Sequence, residues 1–503
     1  MKRSLSVKCL SLTTIILCVS CAVVAIGQTR ALPAKDANGA SVRTVAQETE
    51  TVVARIGEYT ITQEELKARL LQDIRPREDD NLEDPKPVTA EATLRKMVAE
   101  KAMSMEGRKL GYLQDEIIQS SIERIEHQQL VRMLLENYVS ENMSIDESQI
   151  DRVQKADPNM SREQATAVIQ RSVVTRLLEK FYNSLLKKFQ LTKVEKNFAE
   201  AVRIHQRLLL RPATPRRRGE YWIKNSQVRE ELSDAETALV LATYKGGQFT
   251  LKDWFKALCN IVPPRRPANL NTAAGLEQLL DQALRTPILV AEARARGYDK
   301  DETLRSRIRQ VEDQRLFYKV QEQKTKGIDE PTAEQIKACF EKDKERFGQN
   351  ATLKVDEIWC EDLATAKKVK GLLGEGEDFE TVKKDHSLRK DGKAHNVYPG
   401  GEGLFWTQLW KGEPNDVLGP VKGFYESGLR WRVVKVLEKT PAKVPEYSEQ
   451  IANRVKWAMV ARERQRVLAE YRKELLQKYP HKIFDDRIKG MDPLEIAMEP
   501  ADK

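Results

Sequence analysis

Histidine is sparse in this chain, with five in 503 residues and none near another. Cysteine is sparser than its count of six implies, because Cys9, Cys18 and Cys21 lie in the first 27 residues. The remainder, Cys259, Cys339 and Cys360, is an odd set without close spacing, which excludes a disulfide framework and a zinc site. No metal and no cofactor is therefore expected. Aromatic residues are only 6% of the chain against 32% charged, so it reads as soluble and helix-rich, with many exposed ion pairs. No large excess of one charge is present either. The formal charge is +9, and three of the positive charges, Lys2, Arg3 and Lys8, lie at the extreme N-terminus. Nucleic-acid binding needs basic residues gathered on one face. The chain offers only two short basic clusters, Arg211-Pro212-Ala213-Thr214-Pro215-Arg216-Arg217-Arg218 and Pro263-Pro264-Arg265-Arg266-Pro267. Both read as solvated connectors held open by prolines, so no nucleic-acid partner is expected.

The one long apolar run, from about Cys9 to Ile26, follows Lys2, Arg3 and Lys8 and ends near Ala25 and Gly27, the layout of an export signal. Residues 1–27 are read as a signal peptide or membrane anchor. Cleavage is the first expectation. The alternatives are an uncleaved span and lipidation of Cys21 in Val19-Ser20-Cys21. Residues 28–50 are small and polar, the composition of a disordered tether.

Folding is expected to begin at Thr51. Val52–Thr62 alternates as two short strands about Gly57, and Thr62 with Glu65 forms a capping box that starts a helix at Gln63. Helical periodicity then covers about 90–110, 114–142 and 162–189. An internal repeat stands out. Val53-Ala54 through Ile61-Thr62 aligns without gaps on Leu241-Ala242 through Phe249-Thr250, and Gly111-Tyr112, Asp115-Glu116, Ile125-Glu126 and Leu130 recur in order as Gly297-Tyr298, Asp301-Glu302, Val311-Glu312 and Leu316. Two copies of a hairpin-plus-helices module are expected. The division is 51–210 (first module with extension), 211–238 (basic linker), 239–350 (second module), 351–440, 441–480 (a helix with apolar Ile451, Val455, Ala458, Leu468, Tyr471 and Leu475) and 481–503 (tail).

The stretch 351–440 carries Gly376-Glu377-Asp378-Phe379, then Gly400-Gly401-Glu402-Gly403-Leu404-Phe405-Trp406, then Gly419-Pro420-Val421-Lys422 before Trp431-Arg432-Val433-Val434-Lys435-Val436. In type and order these resemble the signatures of the parvulin (PpiC-type) prolyl isomerase domain. The opening hairpin followed by helices resembles the N-terminal domain of SurA-type and PrsA-type foldases. The resemblance implies an α+β chain: mostly helical, duplicated SurA-like chaperone modules plus one parvulin-like domain with a small antiparallel sheet and flanking helices. It also implies that the helix after 441 packs back on the helical core.

Parvulins place a histidine on the first strand, a second on the last strand and a cysteine or aspartate between. The matching positions here are Glu357 and Arg432, with Arg389 the best match for the residue between them and His386 and Asp391 the alternatives. The segment supplying the proline pocket is cut to residues 407–418, and Phe405, Trp406, Leu409 and Trp410, at and just before its start, are the candidate binding residues. Isomerisation must overcome amide resonance, a barrier of about 20 kcal/mol, by desolvating and holding the prolyl bond. With both histidines replaced, little or no isomerase activity is expected, and Glu357 and Arg432, on strands that neighbour each other in the parvulin fold, are expected to form an ion pair. The resemblance then implies an exported chaperone or foldase, periplasmic or in the cell envelope, binding unfolded or nascent envelope polypeptides. The alternatives are an active prolyl cis-trans isomerase with an altered site, and a non-chaperone envelope scaffold.

Overall fold

A computed structural model describes residues 51–75, 88–213, 219, 221–426 and 428–498. The expected signal and tether, residues 76–87 and most of the first basic cluster lie outside these residues. Strands β1 (Val52–Ile56) and β2 (Tyr59–Thr62) lead into helices α1 (Gln63–Asp73), α2 (Ala90–Lys109), α3 (Glu116–Asn142), α4 (Glu147–Ala156) and α5 (Arg162–Lys188), then the short strand β3 (Thr192–Lys193) and α6 (Phe198–Leu210). A second hairpin, β4 (Val240–Tyr244) and β5 (Gly247–Thr250), precedes α7 (Leu251–Asn260), α8 (Ala273–Ala283), α9 (Arg285–Ala295), α10 (Glu302–Thr325) and α11 (Ala333–Lys342). Next come β6 (Thr352–Cys360), α12 (Leu363–Gly374), α13 (Phe379–His386), β7 (His395–Val397), β8 (Val417–Tyr425) and β9 (Gly428–Thr440). The chain closes with α14 (Glu449–Lys478), β10 (His481–Ile483) and a helical turn at Pro493–Ile496. Only the longer helices are numbered. All strand pairings are antiparallel, and the class is α+β.

Local chemistry sets the helix starts. The Thr62 hydroxyl accepts from Glu65 N at 3.3 Å while Glu65 Oε2 accepts from Thr62 N at 2.9 Å, the expected capping box. Thr250 with Asp253, Ser161 with Gln164 and Thr332 with Gln335 repeat the device. Each cap is worth roughly 1 kcal/mol, enough to fix where a helix begins.

The described residues divide into two compact units: 119–311 lie in one, and 51–118 together with 312–498 in the other. In the first, Phe198, Ile204, Leu208, Trp254, Phe255, Leu276 and Leu280 form one core, and Leu130, Leu134, Phe181, Leu185 and Ile288 a second. In the other, Val53, Ile56, Ile61, Leu66, Leu70, Leu94 and Met103 close on Val320, Tyr471 and Leu475. Helix α14 therefore packs its C-terminal turns on the first hairpin and α2, while its N-terminal Ile451 and Val455 pack on Ile336, Phe340 and Phe347. Among the described residues, no helix is long and apolar enough to cross a membrane.

The repeat extends further than its sequence signature. Both hairpins carry an irregularity at the same place, between Val52 and Ala54 and between Val240 and Ala242. Gly111 (φ +74°) and Gly297 (φ +79°) end α2 and α9 in the left-handed conformation that favours glycine. Each hairpin also gains a third strand: β10 pairs with β1 through Ala54↔Ile483, and β3 pairs with β4 through Lys193↔Ala242. The segment read as a tail is thus built into the fold, since β10 fills the free edge of β1 and Ala497 is buried beside Leu429. Three residues are too few for an alternating pattern to betray a strand.

Candidate functional site at the centre of the four-stranded sheet

The sheet order is β7-β6-β9-β8, so β6 and β9 are central. Side chains alternate along each strand. One face carries Ile358, Cys360 and Val433 and packs on α12 and α13 through Ala366, Val369, Phe379 and Val382. The other carries Leu353, Val355, Val434 and Val436 and is covered by Val397, Leu409, Trp406 and Trp410.

Glu357 and Arg432 lie on that second face. Trp359 is in register with Arg432 and Glu357 with Val434, which brings the two charged side chains together as a buried ion pair. A second carboxylate joins them: Glu402, from the glycine-rich turn, pairs with the other terminal nitrogen of Arg432. Arg432 is only 2% exposed, Glu357 6% and Glu402 7%. The Trp359 indole completes the arrangement, donating from Nε1 to Glu357 Oε2 at 3.0 Å while its ring lies 5.0 Å beneath the guanidinium carbon. Burial opposes the charge on Arg432, but Glu357 and Glu402 outweigh it and hold the guanidinium above its ordinary pKa. His395, half-exposed on β7, sits with Nε2 3.7 Å from Glu357 Oε2.

Gly423 on β8 gives this cluster its room. A Cβ there would collide with the Arg432 guanidinium and reach 2.8 Å from the Trp359 ring. On the opposite face, Asp356 forms a second buried ion pair, with Lys383 of α13. Consecutive acidic residues on a central strand place one carboxylate on each face, and each has found a cation.

A guanidinium cannot give up its proton near neutral pH, so the cluster offers no general acid or base at Arg432. Its ion pairs tie β9 to β6 and to the glycine-rich turn and fill the sheet centre. Burial, with Asp362 adding, pushes the Cys360 thiol up to about 11, leaving it protonated and unreactive.

The other sequence candidates are placed as follows. Arg389 is exposed and outside the cluster; its backbone N–H donates to the buried Ser387 hydroxyl at 3.2 Å. Phe405 is a core residue beside Ile74, Leu429 and Ala497, and Leu409 is fully buried. Trp406 and Trp410 are half-buried and stacked at 5.2 Å. Glu402, Trp359 and Gly423 were not singled out from sequence. The signal for Glu402 was an acidic residue within a run of glycines, where a backbone turn brings a side chain down onto the sheet.

Elsewhere in the same unit, a groove of about 850 Å³ lies between α11 and α14, lined by Ala338, Cys339, Met459 and Val460 with Asp343 and Arg462. A smaller hollow of about 410 Å³ lies further along α14, at Tyr318, Thr325, Arg464 and Leu468.

No protein-family model and no curated protein matches the chain. Solved structures do match it. One of two structurally related SurA-like chaperones of Campylobacter jejuni aligns at 14% identity over 49% of this chain and 94% of that one, with a TM-score of 0.23. The foldase protein PrsA of Streptococcus pneumoniae aligns at 18% identity over 37% and 68%, TM-score 0.22. The peptidylprolyl isomerase PrsA of Bacillus cereus aligns at 18% identity over 50% and 96%, TM-score 0.20. The chain is similar to SurA-like chaperones and PrsA foldases.

Proposed function

We propose that this chain is an exported chaperone that holds unfolded cell-envelope polypeptides, and that its parvulin-like segment, 351–440, serves to hold polypeptide with little or no isomerase activity. The observation that carries the holding function is the open groove between α11 and α14, where apolar Ala338, Met459 and Val460 stand among charged Asp343 and Arg462. Apolar floors with charged rims suit extended, sequence-varied segments, which gain burial without a fixed polar code. The low isomerase activity follows from Glu357 and Arg432 standing at the two histidine positions of a parvulin. The export signal read from residues 1–27 supports the envelope as the place of action.

Ala338 is exposed and Val460 half-buried, so Ala338→Glu and Val460→Glu introduce charge into the groove without opening a core. With an unfolded outer-membrane-type polypeptide diluted from denaturant, the wild type should suppress light scattering. The double variant should lose that protection several-fold while its thermal melt stays unchanged. Full protection by the double variant would remove the groove from the account.

A further inference from the structure

Each hairpin is completed by a strand from the other half of the chain. Strand β10, from the second half, closes the hairpin of the first, and β3, from the first half, closes the hairpin of the second. The flanking backbone bonds match as well, Phe484 N to Val53 O and Val194 N to Leu241 O, both at 2.9 Å.

The ion pairs obey the same exchange. Glu106 of α2 is buried and accepts from Lys478, in the last turn of α14, at 2.6 Å. Its counterpart Glu292 of α9 accepts from Lys188, in the last turn of α5, also at 2.6 Å. Arg108 pairs with Glu312 at 2.7 Å, and the equivalent Arg294 pairs with Glu126 at 3.3 Å. In all four pairs one member comes from residues 51–210 and the other from residues 221–498.

The cores follow suit. Val53, Leu66 and Met103 close on Val320, Tyr471 and Leu475, while Leu130, Phe181 and Leu185 close on Ile288, Leu289 and Ala293. Neither half of the chain holds a complete set of either.

We propose that residues 51–210 and 221–498 are the two subunits of a reciprocally exchanged dimer carried on one chain, each half being the binding partner of the other and the covalent connector unnecessary for assembly. A consequence concerns the segment 351–440, which lies between α11 and α14. The equivalent place in the first half, between α4 and α5, holds only the turn 157–161. The assembly therefore presents one such segment where a symmetric dimer of the second half would present two. This inference is independent of the holding function, and its failure would leave that reading untouched.

The test replaces residues 214–218 of the full-length chain with the recognition sequence of a specific protease and cuts the folded protein. The two pieces should elute from a sizing column together, at the position of the uncut chain, and melt in one transition. Exposed register partners report the exchange directly. On oxidation, Arg55→Cys with Lys482→Cys, and Thr192→Cys with Thr243→Cys, should each hold the cut pieces in one band on a non-reducing gel. Separate elution of two folded pieces, or two bands on the non-reducing gel from the oxidised exchanged pairs, would overturn the proposal.

Discussion

Arg432 is held by two carboxylates, an indole and the missing side chain of Gly423, and each of these can be removed singly. Gly423→Ala places a methyl group where the guanidinium and the Trp359 ring already are. Overpacking of this kind costs about 1–3 kcal/mol, so its urea midpoint should fall while Ala replacements at exposed positions leave the midpoint in place. Arg432→Ala strands Glu357 and Glu402 as buried charges and should cost about 3–5 kcal/mol, whereas replacing all three with Met, Leu and Leu should fall within about 1–2 kcal/mol of the wild type. Denaturant unfolding of the two variants side by side checks the difference. Equal losses would mean that packing, and not the uncompensated charge, sets the cost.

At the scale of elements, the sequence was legible where a local code exists. Thr62 and Glu65 specify the start of α1, Gly111 and Gly297 the ends of α2 and α9, and the alternation about Gly57 the first hairpin. The α+β class was implied by the resemblance to parvulin and SurA-type domains. The pairing of Glu357 with Arg432 was readable through the same resemblance, which puts the two opposite charges on neighbouring central strands. What a linear reading lacked was the second carboxylate of the cluster and the strand that closes the first hairpin. Glu402 comes from a turn, β10 has three residues, and the edge it fills lies at the other end of the chain. Phe405 and Leu409 were candidate binding residues, and both are built into cores.

The reciprocal pair Glu106–Lys478 belongs to this scale, and its pH dependence can be assigned. Burial raises the Glu106 carboxyl, but Lys478 and Tyr479 together pull it below its ordinary 4.5. Glu292 is lowered in the same way by Lys188 and Arg296 against burial. A depressed carboxylate contributes stability that is present above its unfolded pKa and disappears as the pH falls through the folded value. The protein should accordingly lose stability below about pH 4.5. Lys478→Ala should destabilise it by about 1–2 kcal/mol at neutral pH and move the midpoint of its acid unfolding upward. An acid midpoint unchanged in Lys478→Ala would exclude this pair as a contributor.

For the whole molecule, the proposal to be tested is that the chain holds polypeptide at the groove between α11 and α14 while the segment 351–440, with a buried arginine cluster at its sheet centre, does not catalyse prolyl isomerisation. The most direct measurement is cis/trans exchange of a proline-containing peptide, followed by nuclear magnetic resonance with the full-length protein at concentrations that suppress client aggregation. The account predicts exchange at the uncatalysed rate, tens to hundreds of seconds at 25 °C, for the wild type and for Arg432→Ala alike. Exchange accelerated by the wild type and returned to the uncatalysed rate by Arg432→Ala or Glu357→Gln would contradict it.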